Sequence, residues 1–110
     1  LSHRHIPFQN LEKAKTELEE NTELLRLQIS QAENEMKESF FQTSVAKRSV
    51  EEARENLKIT QDNYRVRTVS ISDLLEAQAL YCSACDNLTD ARCNYQIKAA
   101  KYLQSVGLYR

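Results

Sequence analysis

From Thr22 onward, apolar and small residues recur at alternating steps of three and four. The series runs Thr22, Leu25, Ile29, Ala32, Met36, Ser39, Thr43, Ala46, Val50, Ala53, Leu57, Thr60, Tyr64. Such spacing places one stripe along an α-helix and is the seam of a coiled coil. Upstream, Leu11, Ala14 and Leu18 join it through one extra four-residue step, a stutter that relaxes left-handed supercoiling. The pattern predicts a long helix over 10–65, behind an irregular lead-in over 1–9. Glu33 with Lys37 and Glu55 with Lys58 add modest support on its outer face.

The pattern then breaks at YRVRTVSISDLL, residues 64–75. Ser70 is placed as an N-cap, with Asp73 three residues on, where a capping-box acid bonds back. Val69 and Leu74 occupy the two positions of a hydrophobic staple. A turn over 66–70 and a second helix over 71–106 follow from these signals. The second seam runs Ile71, Leu74, Gln78, Tyr81, Cys85, Leu88, Arg92, Tyr95, Ala99, Tyr102, Val106. Beside it lies another stripe of the same period: Leu74, Ala77, Tyr81, Ala84, Leu88, Ala91, Tyr95. A helix with two adjacent seams suits two neighbours, as in a helical array, or a broad face buried in a four-helix bundle.

With about five residues between them, the helices must return antiparallel as a hairpin. Folding the chain between Arg67 and Thr68 pairs positions whose numbers add to about 134 or 135. Ala53 then meets Tyr81, Ala46 meets Leu88, Ser39 meets Tyr95, and Ala32 meets Tyr102. Each layer sets a small residue against a large one, which fills space without voids. These eight residues are the expected hairpin core. The first helix outruns the second, so Leu11, Leu18, Leu24, Leu25 and Leu27 find no partner within the hairpin. The isolated segment is therefore expected to self-associate.

Composition narrows the function classes. A net charge of −1 leaves no basic stripe for nucleic acid. No apolar run approaches the roughly 20 residues of a membrane-spanning helix, and no signal peptide opens the chain. The protein is then cytosolic, or its export signal lies outside this segment. Gly107 is the only glycine, which excludes a phosphate-cradling loop. Cys82 and Cys85 have metal-like spacing, yet His3 and His5 are remote in sequence and zinc needs four ligands. With Cys93 they make an odd number, so they read as small packing residues and not a disulfide framework. The heptad spacing of Tyr81, Tyr95 and Tyr102 reads as core, not as a base-stacking platform. Neither His3 nor His5 has a Ser, Cys or Asp placed by local motif to make a nucleophilic pair, so no enzyme, cofactor or metal centre is expected.

Residues 56–107 resemble the C-terminal helical hairpin of TolC-like outer-membrane efflux proteins. The likeness rests on Tyr64 before the turn, Ser72, Asp73-Leu74-Leu75, Ala77-Gln78, Ala91-Arg92, Asn94-Tyr95, Leu103 and a closing Gly107. It is weaker over 11–55 and does not reach 1–10. Arg67 stands where that family usually has a turn glycine, at a position that favours left-handed backbone.

The resemblance implies an all-α fold, a long antiparallel hairpin taken from a periplasmic α-helical barrel. It implies a homotrimer in the outer membrane, with this segment in the periplasm. The turn would be the tip that docks a periplasmic adaptor protein, itself coupled to an inner-membrane pump. The tip residues are Arg65, Val66, Arg67, Thr68, Val69 and Ser70. The alternative is a free-standing coiled-coil interaction or scaffold module, which the flanking reading frame would separate from the duct.

Overall fold

The computed structural model of the chain describes residues 7–109. These form two helices, α1 (Phe8–Arg65) and α2 (Ile71–Tyr109), folded back on each other as one hairpin 97 Å long and 17 × 16 Å across. A helix rises about 1.5 Å per residue, so α1 alone accounts for nearly all of that length. The sequence permits such an uninterrupted run because its single proline and single glycine stand near the two ends, at 7 and 107.

Pro7 sits just outside α1 with φ −54° and ψ 138°, and its carbonyl accepts the first backbone bonds, from Asn10 at 2.9 Å and Leu11 at 3.2 Å. Its ring fixes a φ compatible with helix entry, and the N–H it lacks would have had no helical partner there. The helix therefore starts at Phe8, ahead of the expected position 10. At the other end α2 continues beyond 106, through Gly107, which keeps a negative φ and does not close the helix. Glycine weakens a helix interior by about 1 kcal/mol relative to alanine, too little to end one alone.

The two helices meet along the α1 seam. Every member from Thr22 to Tyr64 is at least half-buried, and Ser39, Thr43 and Val50 are buried. Contacts across the hairpin join Thr43 to Ala91, Phe40 to Tyr95, Arg54 to Tyr81 and Glu35 to Lys98. The residue numbers of each pair add to about 134. A slip of one heptad would move that total by seven. Tyr81, Leu88, Tyr95 and Tyr102 are half-buried on α2, and so are Ala32, Ala46 and Ala53 on α1.

One reading of α2 needs correction. The stripe that closes on α1 is the one through Leu74, Ala77, Tyr81, Ala84, Leu88, Ala91 and Tyr95, continued by Lys98, Tyr102 and Ser105. Ala77 (3 % exposed) and Ala84 are its most buried residues. The seam that runs through Ile71, Gln78 and Arg92 instead flanks the interface, with those three exposed and Cys85, Ala99 and Val106 half-buried. Alanines let the backbones approach closely, while Gln78 and Arg92 retain water at no desolvation cost.

Beyond the reach of α2, α1 continues alone. Residues 7–21 are all exposed, with Leu18 at 67 %. Leu24 and Leu27 are exposed too, whereas Leu25 is half-buried at the end of the seam. Among the described residues no helix is long and apolar enough to cross a membrane.

Candidate functional site

The turn is built by two adjoining capping devices. As α1 ends, the Arg67 N–H donates to the Tyr64 carbonyl at 3.0 Å and the Thr68 N–H donates to the Asn63 carbonyl at 2.9 Å. That pair of reversed bonds is a Schellman motif, which requires a left-handed residue just past the helix end. Arg67 supplies it, with φ 65°, the one non-glycine positive φ among the described residues. The Thr68 hydroxyl donates a second bond to the Asn63 carbonyl at 3.1 Å.

Two residues later α2 begins. The Asp73 N–H donates to Ser70 Oγ at 3.2 Å, and the Ser70 N–H donates to Asp73 Oδ2 at 3.0 Å. This reciprocal pair is a capping box; it satisfies two backbone donors and places a carboxylate where the helix dipole favours negative charge. Val69 and Leu74, on either side of it, are both half-buried. The Ser70 carbonyl accepts the first helical bond, from the Leu74 N–H at 3.2 Å.

What the tip offers outward is short. Val66 is 68 % exposed, and Arg65, Arg67, Thr68 and Ser70 are exposed. Arg67 folds back over the Tyr64 ring, its guanidinium carbon 5.7 Å from the ring centre. Arg65 lies 3.8 Å from Asp62, a loose exposed pair worth little to stability. The six tip residues thus present two cations and one exposed apolar side chain, Val66, while Val69 is half-buried. Such a surface can dock a partner.

A second cluster lies along one edge of the hairpin, and the heptad positions did not reveal it. Phe40 packs edge-on against Tyr95 with ring centres 5.4 Å apart. Arg54 reaches over Tyr81, 5.7 Å from the ring centre, and its guanidinium donates to the Tyr81 hydroxyl at 3.5 Å and to Glu51. The Glu51 carboxylate, and then Tyr81, hold Arg54 above its ordinary pKa. On the adjacent face the Glu33 hydrogen bond raises Lys37 in the same way. Phe40 and Arg54 share one heptad position next to the seam. That shared position is the signal by which their reach across the groove could have been found.

Cys82 and Cys93 are exposed, Cys85 is half-buried, and all three are free thiols. Among the described residues no three His, Cys, Asp or Glu side chains gather as a metal site. His3 and His5 lie outside the described residues.

Compared with protein-family models, curated proteins and solved structures, the chain has no match.

Proposed function

We propose that this chain is a hairpin of the periplasmic duct of a TolC-like outer-membrane efflux channel, and that it performs no chemistry of its own. The turn supports the reading most directly. It has Tyr64 before a turn with a left-handed residue, then Ser72 and Asp73-Leu74-Leu75, the order in which this chain resembles the family's tip. Arg67 adopts the left-handed conformation that the family's glycine would adopt at lower cost. Substitution of Arg for Gly is therefore compatible with the same corner.

On this reading the full-length protein is a homotrimer in the outer membrane, and the segment lies in the periplasm. The tip, Arg65 to Ser70, meets the adaptor protein, through which it is coupled to the inner-membrane pump. Charge reversal of Arg65 and Arg67 to Glu in the full-length protein should impair export and leave trimer assembly and membrane insertion intact. Unchanged export with both charges reversed would remove the docking role of the tip.

The leucine-lined overhang of α1 favours a second reading, a free-standing coiled-coil scaffold module that pairs with another helix through Leu11 and Leu18. The reading frame around this segment separates the two. Flanking amphipathic β-strands and a related helical repeat belong to a duct, and their absence to a scaffold.

A further inference from the structure

Cys82 and Cys85 stand three residues apart on α2, and neither is enclosed as a small core residue would be: Cys82 is exposed and Cys85 half-buried. Residues three apart on a helix are neighbours, with Cβ atoms about 5–6 Å from each other. A disulfide draws its Cβ atoms to about 3.8 Å, so closing one here would deform the helix. A metal ion held between the two sulfurs bridges the longer gap without that distortion.

Ligand number decides which ion. Among the described residues no third His, Cys, Asp or Glu joins the two thiols to complete a larger metal-binding group. Zinc takes four ligands in a structural site and three from the protein in a catalytic one, so two sulfurs cannot hold it. Copper(I) is soft, seeks thiolate sulfur and accepts two ligands in line. Asp86, one turn beyond Cys82, offers only a hard oxygen, which such an ion does not seek.

We propose that Cys82 and Cys85 together form a two-coordinate site for a soft monovalent metal ion of the copper(I) class. Each thiol gives up its proton on binding, so two protons pass to water, and the two thiolates with one copper(I) carry a single negative charge. The surroundings suit that charge. Cys85 lines a groove between the helices with Lys47, Arg54 and Arg92, against one acid, Glu51. Glu51 is paired with Arg54, whereas Lys47 and Arg92 are exposed and make no ion pair among the described residues. Two cations without a carboxylate partner therefore flank the place where the anionic complex forms. The site uses one turn of one helix, so it rests on neither the duct reading nor the scaffold reading.

The third cysteine supplies the control. Removing any one cysteine leaves a chain with two thiols, so the three single variants differ in spacing and not in sulfur content. Cys93→Ser keeps Cys82 beside Cys85. Cys85→Ser leaves Cys82 and Cys93 about three turns apart, and Cys82→Ser leaves Cys85 and Cys93 about two turns apart. The 110-residue chain, fully reduced and dilute, is titrated with copper(I) in competition with bathocuproine disulfonate, whose coloured copper complex reports the metal that the protein does not hold. Wild type and Cys93→Ser should each take one copper(I) per chain, with thiolate-to-copper absorption in the ultraviolet and unchanged helical circular dichroism. Cys82→Ser and Cys85→Ser should hold copper(I) about a hundredfold less tightly, because the second sulfur bond no longer forms within one molecule. Zinc(II) under the same conditions should not be retained. Equal copper(I) affinity in the three single variants, copper(I) held only between paired chains in sedimentation, or zinc(II) retained as firmly as copper(I) would each overturn the proposal.

Discussion

The Thr43 hydroxyl lies 3.4 Å from the Ala91 carbonyl oxygen on the opposite helix and 3.1 Å from the Ser39 carbonyl on its own. A hydroxyl this near the backbone of the other helix requires a small residue at that level, and Ala91 supplies it. Ser39, whose own hydroxyl donates to the Met36 carbonyl at 2.7 Å, and Ala84 line the same buried stretch. Side chain and backbone thus meet at Thr43 and Ala91, between the half-buried Leu88 and Tyr95.

Replacement of Thr43 by Val keeps the volume and removes the shared hydroxyl, with an expected loss of about 1 kcal/mol. Thr43→Leu forces extra volume between the helices and should cost about 1–3 kcal/mol. Urea unfolding of both variants measures the order. A leucine tolerated as well as the valine would contradict the close approach.

The register is open to a direct test in a chain whose three cysteines are replaced by serine. Ala46→Cys with Leu88→Cys should form an intramolecular disulfide on mild oxidation. Ala46→Cys with Tyr95→Cys, one heptad away, should not. Mass measurement after alkylation distinguishes the two.

Arg67 holds a left-handed backbone that glycine adopts without penalty. Arg67→Gly should be neutral or stabilising by up to about 1 kcal/mol, since relief at φ 65° is partly offset by loss of the contact with Tyr64. Arg67→Val should lower stability, because a β-branched residue fits that region worst. Thermal melts that rank valine above glycine would refute a left-handed residue 67.

At the start of α2, Ser70→Ala leaves the Asp73 N–H without its side-chain acceptor and should cost about 1 kcal/mol. Asp73→Asn keeps an acceptor for the Ser70 N–H but loses the charge at the helix N-terminus, and should cost less, about 0.5 kcal/mol. Salt should narrow the difference between wild type and Asp73→Asn and leave the Ser70→Ala deficit unchanged, as only the former is a charge effect.

Residues 8–20 of α1 make no contact with α2. Deletion of the chain before Thr22 should leave the melting temperature of a dilute sample unchanged, and remove only helical signal that rises with concentration. A truncated hairpin that melts at lower temperature under dilute conditions would mean the overhang supports the hairpin from within.

The sequence by itself determined two helices, one turn and an antiparallel return. Three-and-four spacing over so long a run, with Pro7 and Gly107 near the ends, admits no other regular structure. Ser70 and Asp73 mark the restart because short-range backbone bonds settle caps. Pairing about a fixed midpoint then follows from the shortness of the turn. Rotation of α2 about its own axis was a matter for tertiary structure. Its two stripes share Leu74, Tyr81, Leu88 and Tyr95, and a periodic pattern weights them alike. The choice fell to the stripe with Ala77, Ala84 and Ala91, since small side chains admit the backbone of α1 while Gln78 and Arg92 keep their water. That rotation also decided which groove Phe40 and Arg54 would cover, because contacts across a groove depend on the angular position of both helices and local spacing fixes only one.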